Sequence, residues 1–371
     1  MRLRAAGAAL MLIATLLAGC SSDKPKPTPL QTYTPKITVR EAWSARIGSL
    51  GFPLLPTVRD GVVFVASGDG DVQALRTDTG AVLWKARAGG AIAAGVGSDG
   101  RYTSVVTRGN EVVTFDNGRE LWRKRVPSSV VTPPLVAGER VFVMGVDRAV
   151  HAFDAVDGRR LWVYQRPGEA LTLAQAGVVA AFKNTLLVGQ SQRLVALDPL
   201  RGTLLWEAPM AAPRGTNEVE RLADLIGPVL RVGDRLCARA FQAAVACADA
   251  AKGSVLWTRN VGGVQAVGGD AELVFGADAS DRISAWRASN GDVAWTNEKL
   301  LYRGLSGALA VGKWVLFGDA EGYLHFLDAA TGELQLRLSA GSKAVIGTPL
   351  LVGNVVLVTT QDGGVTAFRM P

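Results

Sequence analysis

Two histidines, three cysteines and one acidic turn are the residues of this chain whose types could carry chemistry. His151 and His325 each fall on an apolar run that reads as an inner strand, where an imidazole packs or hydrogen-bonds rather than ligating a metal. Asp69-Gly70-Asp71 has the opening spacing of a calcium loop. The later carboxylates and the closing bidentate Glu are missing, so a Gly-bearing hairpin turn accounts for it. There is no Gly-Lys-Ser/Thr phosphate loop and no Gly-x-Ser-x-Gly elbow. No catalytic group, cofactor or metal is expected. Cys237 and Cys247 flank a hairpin turn near Gln242 and would face each other across adjacent strands. An oxidising compartment allows a disulfide there, but side-chain geometry across a hairpin is demanding, so bridged and free states both stand.

The third cysteine belongs to a leader. Arg2 and Arg4 supply its charged start, Ala5 to Leu17 its apolar run, and Leu17-Ala18-Gly19-Cys20 resembles the lipobox of bacterial lipoproteins. The run is too short to span a bilayer. Residues 1–19 are therefore read as a signal peptide and Cys20 as the lipidation site. Ser21 follows, where Asp would favour inner-membrane retention, so the destination is the outer membrane, facing the periplasm. Residues 20–40 contain Pro25, Pro27, Pro29 and Pro35 among polar neighbours, and read as an extended tether between lipid and body. Several acyl chains on one Cys anchor a protein without a transmembrane helix.

These residues sit on elements that recur along residues 41–371. A Gly turn is followed four positions later by Trp: Thr79-Gly80…Trp84, Asn117-Gly118…Trp122, Asp157-Gly158…Trp162, Arg201-Gly202…Trp206, Lys252-Gly253…Trp257 and Asn290-Gly291…Trp295, with Thr331-Gly332…Leu336 last. An Ala-Leu-Asp-like strand end precedes each turn, as in Ala196-Leu197-Asp198 and Phe326-Leu327-Asp328. An eighth such end, Ala367-Phe368, closes the chain with no outer strand after it. Glu41-Ala42-Trp43-Ser44 begins it as an outer strand with no inner strands before it. Each remnant supplies what the other lacks. The expected fold is all-β: an eight-bladed β-propeller of four-stranded antiparallel blades, the N-terminal strand closing the last blade. Such closure leaves no free edge between first and last blades.

An insertion interrupts this rhythm. The widest Trp spacing, from Trp206 to Trp257, contains residues 213–228, PRGTNEVERLADLIGP. Asn217 with Glu220 three residues on reads as the capping box of a short helix, whose face would be Val219, Leu222 and Leu225/Ile226. A helix on an all-β ring would be a partner surface, or a plug for the central channel.

Composition agrees with a soluble body. Apolar residues make up 48%, and 43 glycines supply several turns per blade. Net charge is +7; without Arg2 and Arg4, 38 of the 40 basic residues remain against 33 acidic ones, spread along the chain. No basic run with interleaved aromatics is present, so no nucleic-acid partner is expected.

The Ala-Leu-Asp…Thr-Gly…Leu-Trp pattern resembles the tryptophan-docking repeat of pyrroloquinoline-quinone dehydrogenases, which names a fold rather than a function. The lipobox, the blade count without a further domain, the segment Gly318-Asp-Ala-Glu-Gly-Tyr-Leu-His325, Gly304 to Leu309 and Thr348-Pro349 narrow the match. Together they resemble the BamB family, lipoprotein subunits of the outer-membrane β-barrel assembly machinery. That resemblance implies a non-enzymatic scaffold binding the periplasmic domains of BamA, alongside other subunits of the machinery and unfolded outer-membrane proteins, and assisting delivery and insertion of β-barrels. It implies partner contacts at Leu171 and Leu173, in Ala170-Leu-Thr-Leu-Ala174, and at Asp224, in Arg221-Leu-Ala-Asp-Leu-Ile226. Ala174 stands where the family has Arg, and Ile226 where it has a second Asp, which shifts weight onto Leu171, Leu173 and Arg221. Two other classes stand as alternatives. One is a quinoprotein dehydrogenase, although the vicinal cysteines those enzymes carry are absent. The other is a periplasmic propeller binding a sugar or peptide in its channel.

Overall fold

Inner strands apolar on both faces can be buried only between two layers, and the chain supplies many of them. Val63–Ala66, Val105–Val106 and Val315–Phe317 are almost wholly withdrawn from solvent. The computed structural model describes residues 25–50, 54–166, 171–212 and 215–371; the leader and Cys20 lie outside them. These residues form eight four-stranded antiparallel sheets, an eight-bladed propeller. Blades 1 to 7 are consecutive: Thr57–Arg59 through Val82–Arg87, Ile92–Ser98 through Arg119–Arg125, Leu135–Ala137 through Arg160–Tyr164, Val179–Phe182 through Leu204–Pro209, Leu225–Val232 through Ser254–Arg259, Gly268–Gly269 through Val293–Asn297, and Leu309–Val311 through Leu334–Ser339. Blade 8 consists of Leu350–Val352, Val355–Thr359 and Gly364–Arg369, with the N-terminal Arg40–Arg46 as its outer strand. Trp43 pairs with Ala367 there, so the expected closure is the one observed.

The repeated motif keeps one outline. In blades 3, 4, 5 and 7 the Asp at the end of the third strand caps the turn that follows, as where Asp328 Oδ1 accepts the N–H groups of Ala330 and Thr331 and Gly332 N–H donates to the Asp328 carbonyl at 2.8 Å. Blades 1 and 6 carry Arg76 and Arg287 there and keep the main-chain bond from the Gly. The Gly then takes positive φ, and the Trp of the preceding blade lies flat on it. A Cβ at Gly158 would stand 2.5 Å from the Trp122 ring, and one at Gly332 would stand 2.6 Å from Trp295. Trp43 closes the circle on Gly80 of blade 1. The indole N–H reaches into the next blade too, Trp122 to the Ala155 carbonyl and Trp257 to that of Ala288, each at 2.9 Å.

Why the seventh blade carries Leu336 instead of Trp follows from its neighbour. Blade 8 takes its outer strand from the other end of the chain, so no Gly turn stands there to receive an indole. Leu336 packs instead among Val356, Phe368 and Met370. Its cross-strand partner is Phe326, whereas the tryptophans of blades 1, 3, 4 and 6 sit opposite Ala. Large and small have exchanged places, which conserves volume.

Two expectations change. Residues 215–224 form turns, not a helix: a single bond of helical spacing, from the Arg221 N–H to the Asn217 carbonyl, is followed by a tighter one from Leu222 to Val219, and Leu225 and Ile226 begin the strand Leu225–Val232. Asn217 does accept the Glu220 N–H at 2.9 Å, but the Glu220 carboxylate takes the N–H and hydroxyl of Thr216, one residue before the position a capping box requires. Pairing of Leu225 with Ala240 outcompetes the helix, and Val219 is left 71% exposed rather than on a buried face. Residues 25–39, the described part of the segment read as a tether, carry no strand or helix and are not free: Leu30 and Ile37 pack on the propeller.

Candidate functional site

Antiparallel blades put two kinds of connection on one face of the ring, the turns between second and third strands and the crossings from an outer strand to the next blade. This is called the loop face below. Leu171 and Leu173 lie on the crossing from blade 3 (Leu135–Ala137 through Arg160–Tyr164) to blade 4 (Val179–Phe182 through Leu204–Pro209). Asp224 ends the crossing from blade 4 to blade 5, whose inner strand is Leu225–Val232. Distant in sequence, these residues meet in space. Asp224 Oδ2 accepts the Leu173 backbone N–H at 2.9 Å, and Oδ1 lies 3.1 Å from Arg148 Nη2. The same guanidinium nitrogen donates to the Leu171 carbonyl at 2.8 Å. Arg148 and Asp224 are 10% and 16% exposed in their side chains, so the pair is shielded and holds the segment in one shape. Leu171 remains 37% exposed beside it.

Arg221, half-buried, stands one turn before Asp224. Ile226 is buried in a strand and offers nothing to a partner, whereas Ala174 is exposed and carries no charge. Sequence reasoning missed Arg148, because its turn, Asp147-Arg148, looks like any polar hairpin. It also missed the neighbour of Gln175, whose Nε2 donates to the Val264 carbonyl at 2.7 Å and ties in the crossing from blade 5 to blade 6. That crossing is braced by the wholly buried Arg239, which donates to the carbonyls of Val261, Gly262, Gln265 and Ala277. Burial pushes the Arg239 guanidinium down to about 10, against the nearby Asp278 carboxylate.

Elsewhere the candidate chemistry dissolves into structure. Asp69–Asp71 is a hairpin turn with Gly70 at φ 104°. His151 is buried beside Phe153. His325 Nε2 is 2.9 Å from Asp319 Oδ2, which also accepts Arg303 Nε at 2.9 Å; Arg303 in turn reaches Glu321. Burial pushes the His325 imidazole below its ordinary value, against the Asp319 carboxylate. Burial alone would raise Asp319; the bonds from His325, the Tyr323 N–H and Arg303 outweigh it and hold its carboxyl below the usual range. Within the segment Gly318–His325 noted in the sequence, Asp319 and His325 thus form a buried brace with Arg303 at blade 7. Cys237 and Cys247 are directly opposed, with Cα atoms 4.0 Å apart and their sulfurs in bonding contact. In the bore, a cavity of about 270 Å³ is lined by Leu55, Val96, Pro134, Val136, Val179 and Pro228, with little polar surface. Among the described residues no cluster of His, Cys, Asp or Glu is arranged to hold a metal ion.

A closed ring of eight tryptophan-docked blades, with its loop crossings tied to one another by polar contacts, defines the class of tryptophan-docked β-propellers. Comparison with known proteins specifies which. The family model described as outer membrane protein assembly factor BamB matches residues 20–91, 68–297 and 300–370, and the chain belongs to that family. It is 34% identical over 372 residues to the outer membrane protein assembly factor BamB of Bordetella pertussis, covering 98% of this chain and 96% of that one. The crystal structure of BamB from Moraxella catarrhalis shares the fold with a TM-score of 0.82 at 23% identity, over 90% of this chain and all of that one. The quinohemoprotein alcohol dehydrogenase from Comamonas testosteroni shares it more distantly, with a TM-score of 0.67 at 17% identity over 90% of this chain and 77% of that one.

Proposed function

We propose that this chain is a non-enzymatic scaffold of the outer-membrane protein assembly complex, anchored through lipid on Cys20 and facing the periplasm. It docks the periplasmic domains of BamA through Leu171, Leu173, Arg221 and Asp224, and so assists delivery and insertion of β-barrel proteins. The observation that carries the reading is the Asp224 clamp, which holds an exposed leucine segment rigid on the loop face of a family of assembly factors. A preformed apolar patch with a polar surround binds without the entropic cost of ordering a loop. Extended client chains could also pair with the exposed outer strands, where main-chain bonding tolerates many sequences. The test is capture by immobilised BamA periplasmic domains. Leu171→Asp with Leu173→Asp abolishes capture if the reading holds; capture equal to wild type moves the site elsewhere.

A further inference from the structure

Residues 28–39, nominally tether, are built into the propeller at one place. Thr28 N–H donates to the Leu301 carbonyl at 2.9 Å, and the Thr28 carbonyl accepts Arg303 Nη1 at 3.1 Å, so the segment is fastened to the buried brace of blade 7. Tyr33 follows. Its hydroxyl accepts the Arg337 N–H at 2.7 Å and donates to the Arg337 carbonyl at 3.2 Å, satisfying both main-chain groups at that point of the open edge of the outer strand. The Arg337 guanidinium lies over the Tyr33 ring, 5.1 Å from its centre. Lys36 N–H then donates to the Gln335 carbonyl at 2.9 Å. Ile37 and Val39 join the core between blades 7 and 8 before the chain enters its closing strand at Arg40.

Direction matters here. Leu301 and Arg303 belong to the crossing from blade 6 to blade 7, hence to the loop face. The segment runs from there along the blade edge to Gln335, near the opposite face. The end that leads back to Cys20 therefore leaves the ring on the loop face, the face that carries Leu171, Leu173 and Asp224, two to three blades away. Eight residue steps lead from Cys20 to Thr28, a reach of at most about 29 Å.

We propose that residues 28–39 are a strap that turns the loop face toward the lipid surface holding the acyl chains. The partner-docking loops and the anchor then address the same side, and a partner must approach between ring and bilayer. The proposal rests on the lipidation of Cys20 given above.

The experiment compares two single-cysteine labels on blade 6, Ala279→Cys in a turn of the loop face and Ser289→Cys in a turn of the opposite face, both exposed. Protein purified from membranes is reconstituted into phosphatidylethanolamine–phosphatidylglycerol vesicles bearing a headgroup acceptor dye. Transfer is expected to be about twofold stronger from position 279, because blade strands hold the two sites roughly 17–20 Å apart. The paired change Leu30→Ala and Tyr33→Ala, which leaves the blades intact, is expected to erase the difference. Equal transfer in the unaltered protein, or a difference that survives strap release, overturns the proposal. Hydrogen exchange on the lipid-free Cys20→Ser protein tests the strap separately. The Thr28 and Lys36 amides should be protected, and exchange at free-peptide rates overturns it. Failure of the unaltered protein to float with vesicles overturns the lipid reading and the membrane orientation together, while protection of those amides still decides the strap.

Discussion

The carboxylate of Asp224 and the backbone N–H of Leu173 are 2.9 Å apart, although 51 residues separate them. With Arg148 on its other oxygen, Asp224 shapes the leucine segment from behind. Its role in docking is therefore expected to be positional. Asp224→Ala leaves Arg148 and the Leu173 amide without this acceptor, costing about 1–3 kcal/mol. Capture by BamA periplasmic domains should weaken, and hydrogen exchange at Leu173 should accelerate. Leu171→Asp should weaken capture without changing exchange. Normal exchange at Leu173 in Asp224→Ala would show that the carboxylate does not hold the segment.

Tryptophan docking predicts an asymmetry between blades. Trp122→Ala, at a site 7% exposed, should cost about 3–5 kcal/mol in denaturant unfolding. Leu336→Trp, which copies the motif into the one blade lacking it, should destabilise by about 1–3 kcal/mol, because Phe326 already fills the space and blade 8 has no Gly turn. A stabilised Leu336→Trp protein would contradict this account of the seam.

Acid should loosen blade 7. The folded pKa of His325 lies below its ordinary 6.5, and that of Asp319 below its ordinary 3.8. Both groups therefore favour folding fully above their unfolded values, and that contribution is lost as pH falls. The His share begins to fade below about 6.5 and the Asp share below about 3.9. Melting temperature should drop between pH 7 and 5, and His325→Gln should flatten part of that slope. His151, also pushed down by burial, supplies another part. An unchanged slope in both His325→Gln and His151→Gln would remove histidine titration as the cause.

The Cys237–Cys247 pair should be oxidised in protein isolated without reductant. Intact mass should rise by two hydrogens on reduction. Loss of the bridge in Cys237→Ser with Cys247→Ser should cost roughly 2–3 kcal/mol, the loop being short. Two titratable thiols in the unreduced, unfolded protein would refute the pairing.

Main-chain groups at the blade 7 edge should depend on Tyr33. Tyr33→Phe keeps the ring under Arg337 but removes the hydroxyl that serves both main-chain groups, a loss of about 1–3 kcal/mol of local stability. Faster exchange of the Arg337 amide, with the other blades unchanged, is the expected reading. Uniformly faster exchange across all blades would mean that the strap supports the whole ring instead.

By itself the sequence determined the repeat, the blade count and the way the ring closes. Those features rest on local chemistry: Asp caps a turn, Gly takes positive φ, and an aromatic falls four residues later, so each copy announces itself within a short window. Even the seam at Leu336 is written as a missing Trp. What only the tertiary structure decided involves partners far apart in the chain. The 215–224 insertion has helical signals, yet Leu225 gains more by pairing with Ala240 than a lone turn of helix could offer. Arg148, Arg239 and Tyr33 look like ordinary polar residues until folding sets a carboxylate, four carbonyls or an open strand edge beside each. Water would satisfy those groups in the unfolded chain; burial forces each to find a fixed protein partner, and which partner it finds depends on the whole ring.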